Sequence, residues 1–300
     1  METKRVIALG FFDGVHTGHA VLMQRARSEA DKLGVRASVL TFDLHPDTLI
    51  RGQALPLINS RSDRQALITD VYHMDEMLVI HFTKAVQEQP WQEFVDEYLV
   101  RDHGAVHLVC GHDFRFGFRG EGTAELLRER CRSLGVGCDV IPAVTMDGVL
   151  VSSTYIRKLL LAGDVDRANR FLGHPHRLSG IVEHGRHLGT TIGTPTANLT
   201  VPDGVLCPAY GVYAARVTLP DGSKWPAVTN VGVRPTVDEN GGVTVESWLL
   251  GFDGDLYGQT ILVEFFSRLR GEQKFPSLEA LQAEILKNAD QALALLGGRI

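Results

Sequence analysis

Apolar positions in the first half of the chain change period as the sequence is followed. Val6-Ile-Ala-Leu-Gly10 is a short continuous run, Leu22, Ala26, Ala30 and Leu33 then recur at helical spacing, and Ala37-Ser-Val-Leu-Thr-Phe42 is again short and apolar. Short runs without polar alternation are strands buried on both faces, and the period between them is that of an amphipathic helix. Together they predict a β-α-β unit, with Gly34 ending the helix in the left-handed conformation. Helical patterns over 91–100, 123–134 and 153–161 then alternate with strands over 106–110 and 138–141. Such alternation predicts a Rossmann-like parallel sheet with helices on both faces.

The pattern changes after Gly173-His-Pro-His-Arg177. Short strands are predicted over 178–184, 212–219, 227–233, 243–250 and 260–266, separated by turn sequences such as Pro220-Asp-Gly222 and Glu239-Asn-Gly-Gly242. One helix follows, capped by Ser277, with Leu278, Leu281, Ile285, Ala289, Ala292 and Leu296 as its apolar stripe and Gly297 at its end. The fold class is therefore α/β plus all-β: a parallel-sheet domain over 1–175, then a small antiparallel barrel or sandwich with a terminal helix over 176–300.

Composition narrows the class. A chain of 300 residues is long enough for two cores, and 44% hydrophobic with 22% charged residues is ordinary globular usage. A net charge of -6 argues against a nucleic-acid coat, which leaves a basic footprint. The four cysteines show no Cys-x-x-Cys spacing, so reduced thiols are expected. The charged start at Glu2, Lys4 and Arg5 does not suit a secretory segment, and no apolar run is long enough to span a bilayer. No membrane and no nucleic-acid partner is expected, and the expected location is the cytoplasm; homo-oligomerisation is left open.

In Gly10-Phe-Phe-Asp-Gly-Val-His-Thr-Gly-His19 a strand feeds a glycine-rich turn and then a helix start. That arrangement presents backbone N–H groups and a positive dipole end, which suit phosphate. His16 and His19 lie one turn apart and can face the same anion; the same pair is also what a helix-start packing feature, or a fragment of a metal site, would show. Val151-Ser-Ser-Thr-Tyr-Ile-Arg157 is either an N-cap with a surface arginine or a second phosphate clamp. Gly111-His-Asp-Phe-Arg-Phe-Gly117 and Thr41-Phe-Asp-Leu-His-Pro46 both follow strands, where open α/β sheets bind ligands.

The second half has its own constellation. His184-Gly-Arg-His-Leu-Gly-Thr-Thr-Ile-Gly-Thr-Pro-Thr-Ala-Asn198 reads as a glycine-studded loop, either a plain hairpin connection or a wrap for phosphates that ends in two neutral oxygens for a hard cation. Glu246 shares one strand face with Thr244 and Trp248, as a solvent-facing carboxylate or as a general base.

The four blocks of the first half resemble the FMN adenylyltransferase half of bacterial bifunctional riboflavin kinase/FAD synthetases, a branch of the His-x-Gly-His nucleotidyltransferases. The second half resembles their riboflavin kinase domain through Pro195-Thr-Ala-Asn198, Pro208-Ala-Tyr-Gly-Val-Tyr213, Asn230-Val-Gly-Val-Arg-Pro-Thr236, Glu246 and Arg268-Leu-Arg-Gly-Glu-Gln-Lys-Phe275. The resemblance implies that riboflavin and ATP give FMN, and that FMN and a second ATP give FAD and pyrophosphate, both with Mg2+. It implies that His16 and His19 contact ATP phosphates beside Gly10, Phe11, Asp13 and Gly18, and that Ser153, Thr154 and Arg157 hold the leaving pyrophosphate. Asp113, Phe114, Arg115 and Phe116 would line a flavin pocket, and Arg234 and Arg270 would contact flavin in the second half. Gly185, Gly189, Gly193 and Thr196 would wrap ATP, Thr196 and Asn198 would hold Mg2+, and Glu246 would activate the ribityl hydroxyl. Phe11, Tyr155, Thr190, Thr194 and Trp248 stand where the family often has Asn, Arg, Arg, Phe and His. The alternatives are one active half beside a degenerate one, or a flavin-binding module without turnover. Retention of His16, His19, Thr196, Asn198 and Glu246 together disfavours the module without turnover.

Overall fold

The computed structural model describes residues 3–45, 48, 52, 55–184, 194–233 and 243–297. The chain divides into two compact units, one of Met1–Leu55 and Arg64–Ser152, the other of Pro56–Asp63 and Ser153–Ile300.

The first unit is built on five parallel strands, β1 (Arg5–Leu9), β2 (Arg36–Phe42), β3 (Glu76–Ile80), β4 (Ala105–Gly111) and β5 (Gly137–Ile141), in the order β3-β2-β1-β4-β5. Side chains of β1 alternate between two cores. Val6 and Ala8 pack with Leu22, Met23, Ala26 and Ala30 of helix α1 (Thr17–Leu33). Ile7 and Leu9 pack on the other face with Phe94, Val95 and Leu99, and with Ala124, Leu127 and Cys131 of helix α2 (Ala124–Leu134). Burial on both faces explains why β1 reads as an unbroken apolar run. Gly34 closes α1 at φ 65°, as predicted. Leu33 is 51% exposed, so the buried stripe of α1 stops at Ala30.

Edge strand β3 is absent from the sequence reading. Only its last residue is fully buried, and its first, Glu76, accepts hydrogen bonds from Arg5 and Ser38. The strand is short, and its apolar run is only the four residues Met77 to Ile80.

The second unit opens with helices α3 (Ser153–Ala162) and α4 (Val165–Leu172) and continues into a closed barrel. Its strands are β6 (His176–Glu183), β7 (Ala197–Thr200), β8 (Gly211–Thr218), β9 (Lys224–Val233), β10 (Val243–Leu249) and β11 (Thr260–Arg270), joined in the order β6-β7-β10-β9-β8-β11. All the pairings are antiparallel, so of the barrel and sandwich alternatives the barrel is correct. Helix α5 (Leu278–Leu296), capped by Ser277, covers the outer face by packing Ala289, Ala292 and Leu296 on Val212, Ala214 and Val228. Leu278 is 63% exposed and lies outside that stripe. The predicted loop extends to Asn198, but Ala197 and Asn198 already belong to β7, where Ala197 pairs with Ser247 of β10.

His176 at the start of β6 is fully buried, and burial, with His174 nearby, pushes its pKa down to about 3. An unfolded chain protonates this imidazole near pH 6.5 while the native barrel keeps it neutral. Stability that is intact above that pH is therefore expected to fall by about 1.4 kcal/mol per pH unit below it. Urea unfolding of the parent and His176→Gln across acid pH checks this, the variant being expected to lose that share of the slope.

Candidate functional site

Beyond β1 the backbone is strained. Phe12, Gly14 and Val15 have φ of 60°, 79° and 41°. Left-handed backbone is ordinary for glycine but costs of order 1–3 kcal/mol at other residues, most for a β-branched one, and it clusters at functional sites. The turn places Asp13 in the interior and delivers His16 to the N-cap of α1, where its Nδ1 accepts the His19 backbone N–H at 3.2 Å. An imidazole nitrogen that accepts carries no proton, so Nε2 of His16 is the donor. The two rings stack at 3.6 Å with 12° between planes. A Cβ on Gly18 would lie 3.2 Å from the His16 ring, so only glycine fits beneath it without displacement.

His19 is held neutral. Burial is the largest cause of its pKa lying well below the ordinary histidine value, followed by His16 and Arg64. Its Nδ1 is buried without a hydrogen-bond partner among the described residues, and the Phe12 ring meets it edge-on at 5.1 Å. Two imidazoles over a helix N-terminus offer donors to an anion where water is scarce, which makes them strong.

Strand order places this turn at the switch point of the sheet. From β1 the chain passes to β2 on one side, while β4 lies on the other, and ligands of open α/β sheets bind outside the carboxyl ends of such a pair. Gly111-His-Asp-Phe-Arg-Phe-Gly117 leaves β4 at that end. Asp113 and Arg115 are exposed, and Phe114 stacks on Phe116 at 5.3 Å. Phe116 is a core residue packed against Phe94 and Trp91, so it backs Phe114 and does not itself face solvent. Gly10 donates its N–H to the Leu40 carbonyl at 3.2 Å, and Thr41 Oγ1 donates to the Phe11 carbonyl at 2.9 Å. The Phe11 ring itself lies against His45 and under the Arg64 guanidinium. Arg64 was not picked out from the sequence; one arginine among several in Arg61-Ser-Asp-Arg-Gln65 carries no mark of burial.

Ser153, Thr154 and Arg157 open α3, which belongs to the second unit. Arg157 Nε donates to the Pro56 carbonyl at 2.9 Å. Tyr155 packs edge-on against Phe171 of α4 at 5.0 Å.

In the barrel, register does the assembling. Asn198 of β7 pairs with Glu246 of β10, which pairs with Asn230 of β9, which pairs with Val212 of β8, which pairs with Arg270 of β11. Directly opposite residues share a face. The neighbours Ala197, Leu199, Val245, Ser247, Thr229 and Val231 are buried inside, so Asn198, Glu246 and Asn230 stand in a row on the outer face. Asn198 Nδ2 donates to the Thr196 carbonyl at 3.4 Å, which makes Oδ1 the atom it offers elsewhere.

A cavity flanks the row on either side. One, of about 1330 Å³, is lined by Glu183, Asn198, the 199–210 segment and Val243 to Val245. The other, of about 420 Å³, lies between the barrel and α5 and is lined by Thr194, Thr196, Asn230, Glu246, Trp248 and Arg270, with Phe275, Leu281 and Ile285 among its apolar walls. Arg270 is fixed there by its Nε donating to Asn288 Oδ1 at 3.0 Å. Asn230, Asn288 and Glu183 received no individual role from the sequence; strand register is what brings Asn230 and Glu183 to the row. Gly185, Gly189, Thr190, Gly193 and Arg234 lie outside the described residues.

Comparison with known proteins matches the two halves of the chain to two different families. The family described as FAD synthetase matches residues 1–155, and that described as riboflavin kinase matches 172–296. The bifunctional riboflavin kinase/FMN adenylyltransferase of Pseudomonas fluorescens is 40% identical over 289 residues, covering 96% of this chain and 91% of its own. Those of Bacillus subtilis (strain 168) and Escherichia coli (strain K12) are 33% and 34% identical, over 97% of this chain and 92% and 93% of theirs. A crystal structure described as a macrolide-efflux protein from Streptococcus pneumoniae superposes with a TM-score of 0.86 at 31% identity, covering 97% of this chain and 94% of that one. Among the described residues, no helix of this chain is long and apolar enough to cross a membrane. With both halves matched, in this order and over nearly the whole length, the chain belongs to the bifunctional riboflavin kinase/FMN adenylyltransferase family.

Proposed function

We propose that the chain makes FAD from riboflavin in two ATP-dependent steps, phosphorylation to FMN in the 176–300 half and adenylylation of FMN in the 1–175 half. The observation that carries the reading is the barrel register, which puts a carboxylate beside a carboxamide on one face with a cavity to either side. In the first step Glu246 takes the proton from the ribityl 5'-hydroxyl as its oxygen attacks the γ-phosphorus of ATP, and ADP leaves. The smaller cavity, apolar with Trp248 and Phe275 on its walls and Arg270 at a polar edge, suits an isoalloxazine ring. The larger one suits ATP.

Thr196 and Asn198 offer neutral hard oxygens beside the Glu246 carboxylate, a donor set that fits Mg2+, since that ion keeps most of its shell for phosphate and water. Bound there it would neutralise phosphate charge.

In the second step the FMN phosphate attacks the α-phosphorus of ATP and pyrophosphate leaves. No covalent intermediate is needed: His16, His19 and the N-terminus of α1 hold the triphosphate and stabilise the charge that develops on it. Ser153, Thr154 and Arg157 are assigned to the departing pyrophosphate. Four cysteines free of disulfides suit a cytoplasmic enzyme.

Incubating the purified chain with riboflavin, Mg2+ and ATP, and resolving the flavins over time, is expected to show FMN first and FAD after it. FMN that never becomes FAD would remove the assignment of the first half. Conversion of supplied FMN but not of riboflavin would remove that of the second.

A further inference from the structure

We propose that Arg64 is a positioning residue for adenylyl transfer, clamping from below the peptide that leads into the phosphate-binding turn. The proposal rests on the reading of the first half as the FMN adenylyltransferase.

Arg64 is 1% exposed. Its Nη1 donates to the Phe11 carbonyl at 3.0 Å, its Nη2 to the Phe42 carbonyl at 3.2 Å, and its guanidinium lies 4.4 Å over the Phe11 ring. One cation therefore ties the chain leaving β1 to the end of the neighbouring strand β2. The Phe11 oxygen also receives Thr41 Oγ1, so a single carbonyl takes two donors.

The direction of that carbonyl has a consequence for the turn. In a planar trans peptide the C=O and the following N–H point opposite ways, so holding the Phe11 oxygen towards Arg64 and Thr41 turns the Phe12 N–H away from them. It also fixes the angle at which the chain enters left-handed Phe12, whose ring supports His19. A strained residue persists only where its surroundings over-determine it, and two donors on one carbonyl do so. Packing alone would be met at lower cost by an apolar side chain, because a buried guanidinium carries a heavy desolvation penalty. A fixed cation behind a turn that receives a triphosphate offsets that penalty when the ligand is bound, and its fork reaches two carbonyls at once where lysine reaches one.

The test uses the full chain with Arg64→Met and Thr41→Val, following FAD formation from supplied FMN and FMN formation from riboflavin in the same preparations. Arg64→Met is expected to lower kcat for FAD formation by about 100-fold, the cost of misplacing a catalytic group, with both KM values within about threefold. Thr41→Val, which removes the second donor and no charge, is expected to lower it by about two- to tenfold. FMN formation should be unchanged in both. Guanidinium chloride at millimolar concentration should restore part of the Arg64→Met rate, and urea, of the same shape without charge, should not. An Arg64→Met enzyme within threefold of the parent overturns the proposal. So does a slow one that guanidinium does not rescue while Thr41→Val is fully active. If Arg64→Met does not fold, Thr41→Val decides alone, full activity overturning the proposal. A parent chain that makes no FAD would instead remove the underlying reading.

Discussion

Glu246→Gln is expected to lower FMN formation from riboflavin by about a thousandfold, within the range that general-base catalysis contributes, while FAD formation from supplied FMN stays at the parent rate. The substitution keeps the size of the side chain and its place in the row between Asn198 and Asn230, so the barrel has no reason to change. What it removes is the ability to take a proton. A primary hydroxyl is a poor nucleophile until its proton has somewhere to go, and Glu246 is the carboxylate that stands in register with the proposed cation pair and also lines the cavity assigned to flavin. Riboflavin affinity should change little, because the apolar walls from Trp248, Phe275, Leu281 and Ile285 are untouched. Initial rates with riboflavin and with FMN as alternative substrates measure both outcomes. FMN formation that survives within tenfold would mean that the hydroxyl loses its proton elsewhere, and the role given to Glu246 would be wrong.

How far the site could be read from sequence depended on what kind of order made it. The parallel sheet was legible because β1, β2 and β4 are buried on both faces and carry short, mostly apolar runs. The turn after β1 was legible because glycines and histidines at fixed spacing mark a tight passage from a strand to a helix start. Strand β7 was not: Ala197-Asn-Leu-Thr200 is four residues long and follows a glycine-rich stretch, so it reads as loop until β6 and β10 are seen on either side of it. The same holds for Asn230. Its importance comes from standing opposite Glu246, and cross-strand register is a property of two segments that neither displays alone. Arg64 is the extreme case, since the two carbonyls it binds lie 53 and 22 residues away and belong to the backbone, which carries no sequence signal at all. Phe116 errs in the other direction: an aromatic near a site invites a ligand role, and here it is used to support Phe114 from the core.

His19→Ala is expected to do the reverse of Glu246→Gln, lowering kcat for FAD formation by about 100- to 1000-fold, the usual cost of removing one donor to a developing anion. The variant is cleaner than it first looks. The N-cap of α1 is the His16 ring accepting the backbone N–H of residue 19, and alanine keeps that N–H, so the helix start should survive. His16→Ala lacks this separation, because it removes both a proposed phosphate donor and the cap, the latter worth about 1 kcal/mol. Comparing the two variants therefore divides chemistry from scaffold: both should lose FAD formation, and only His16→Ala should also lower the thermal stability of the first unit. The neutral state of His19 sharpens the expectation further. A histidine held uncharged by burial, His16 and Arg64 binds no anion by charge in the resting enzyme, so its donor is felt mainly as negative charge grows during attack at phosphorus. The loss should then fall on kcat, with the KM for ATP changing by no more than about threefold, a difference of about 0.65 kcal/mol in ground-state binding. A His19→Ala enzyme that keeps its kcat and loses ATP affinity instead would show that the imidazole serves ground-state binding, and the role assigned to it in the transition state would have to be abandoned.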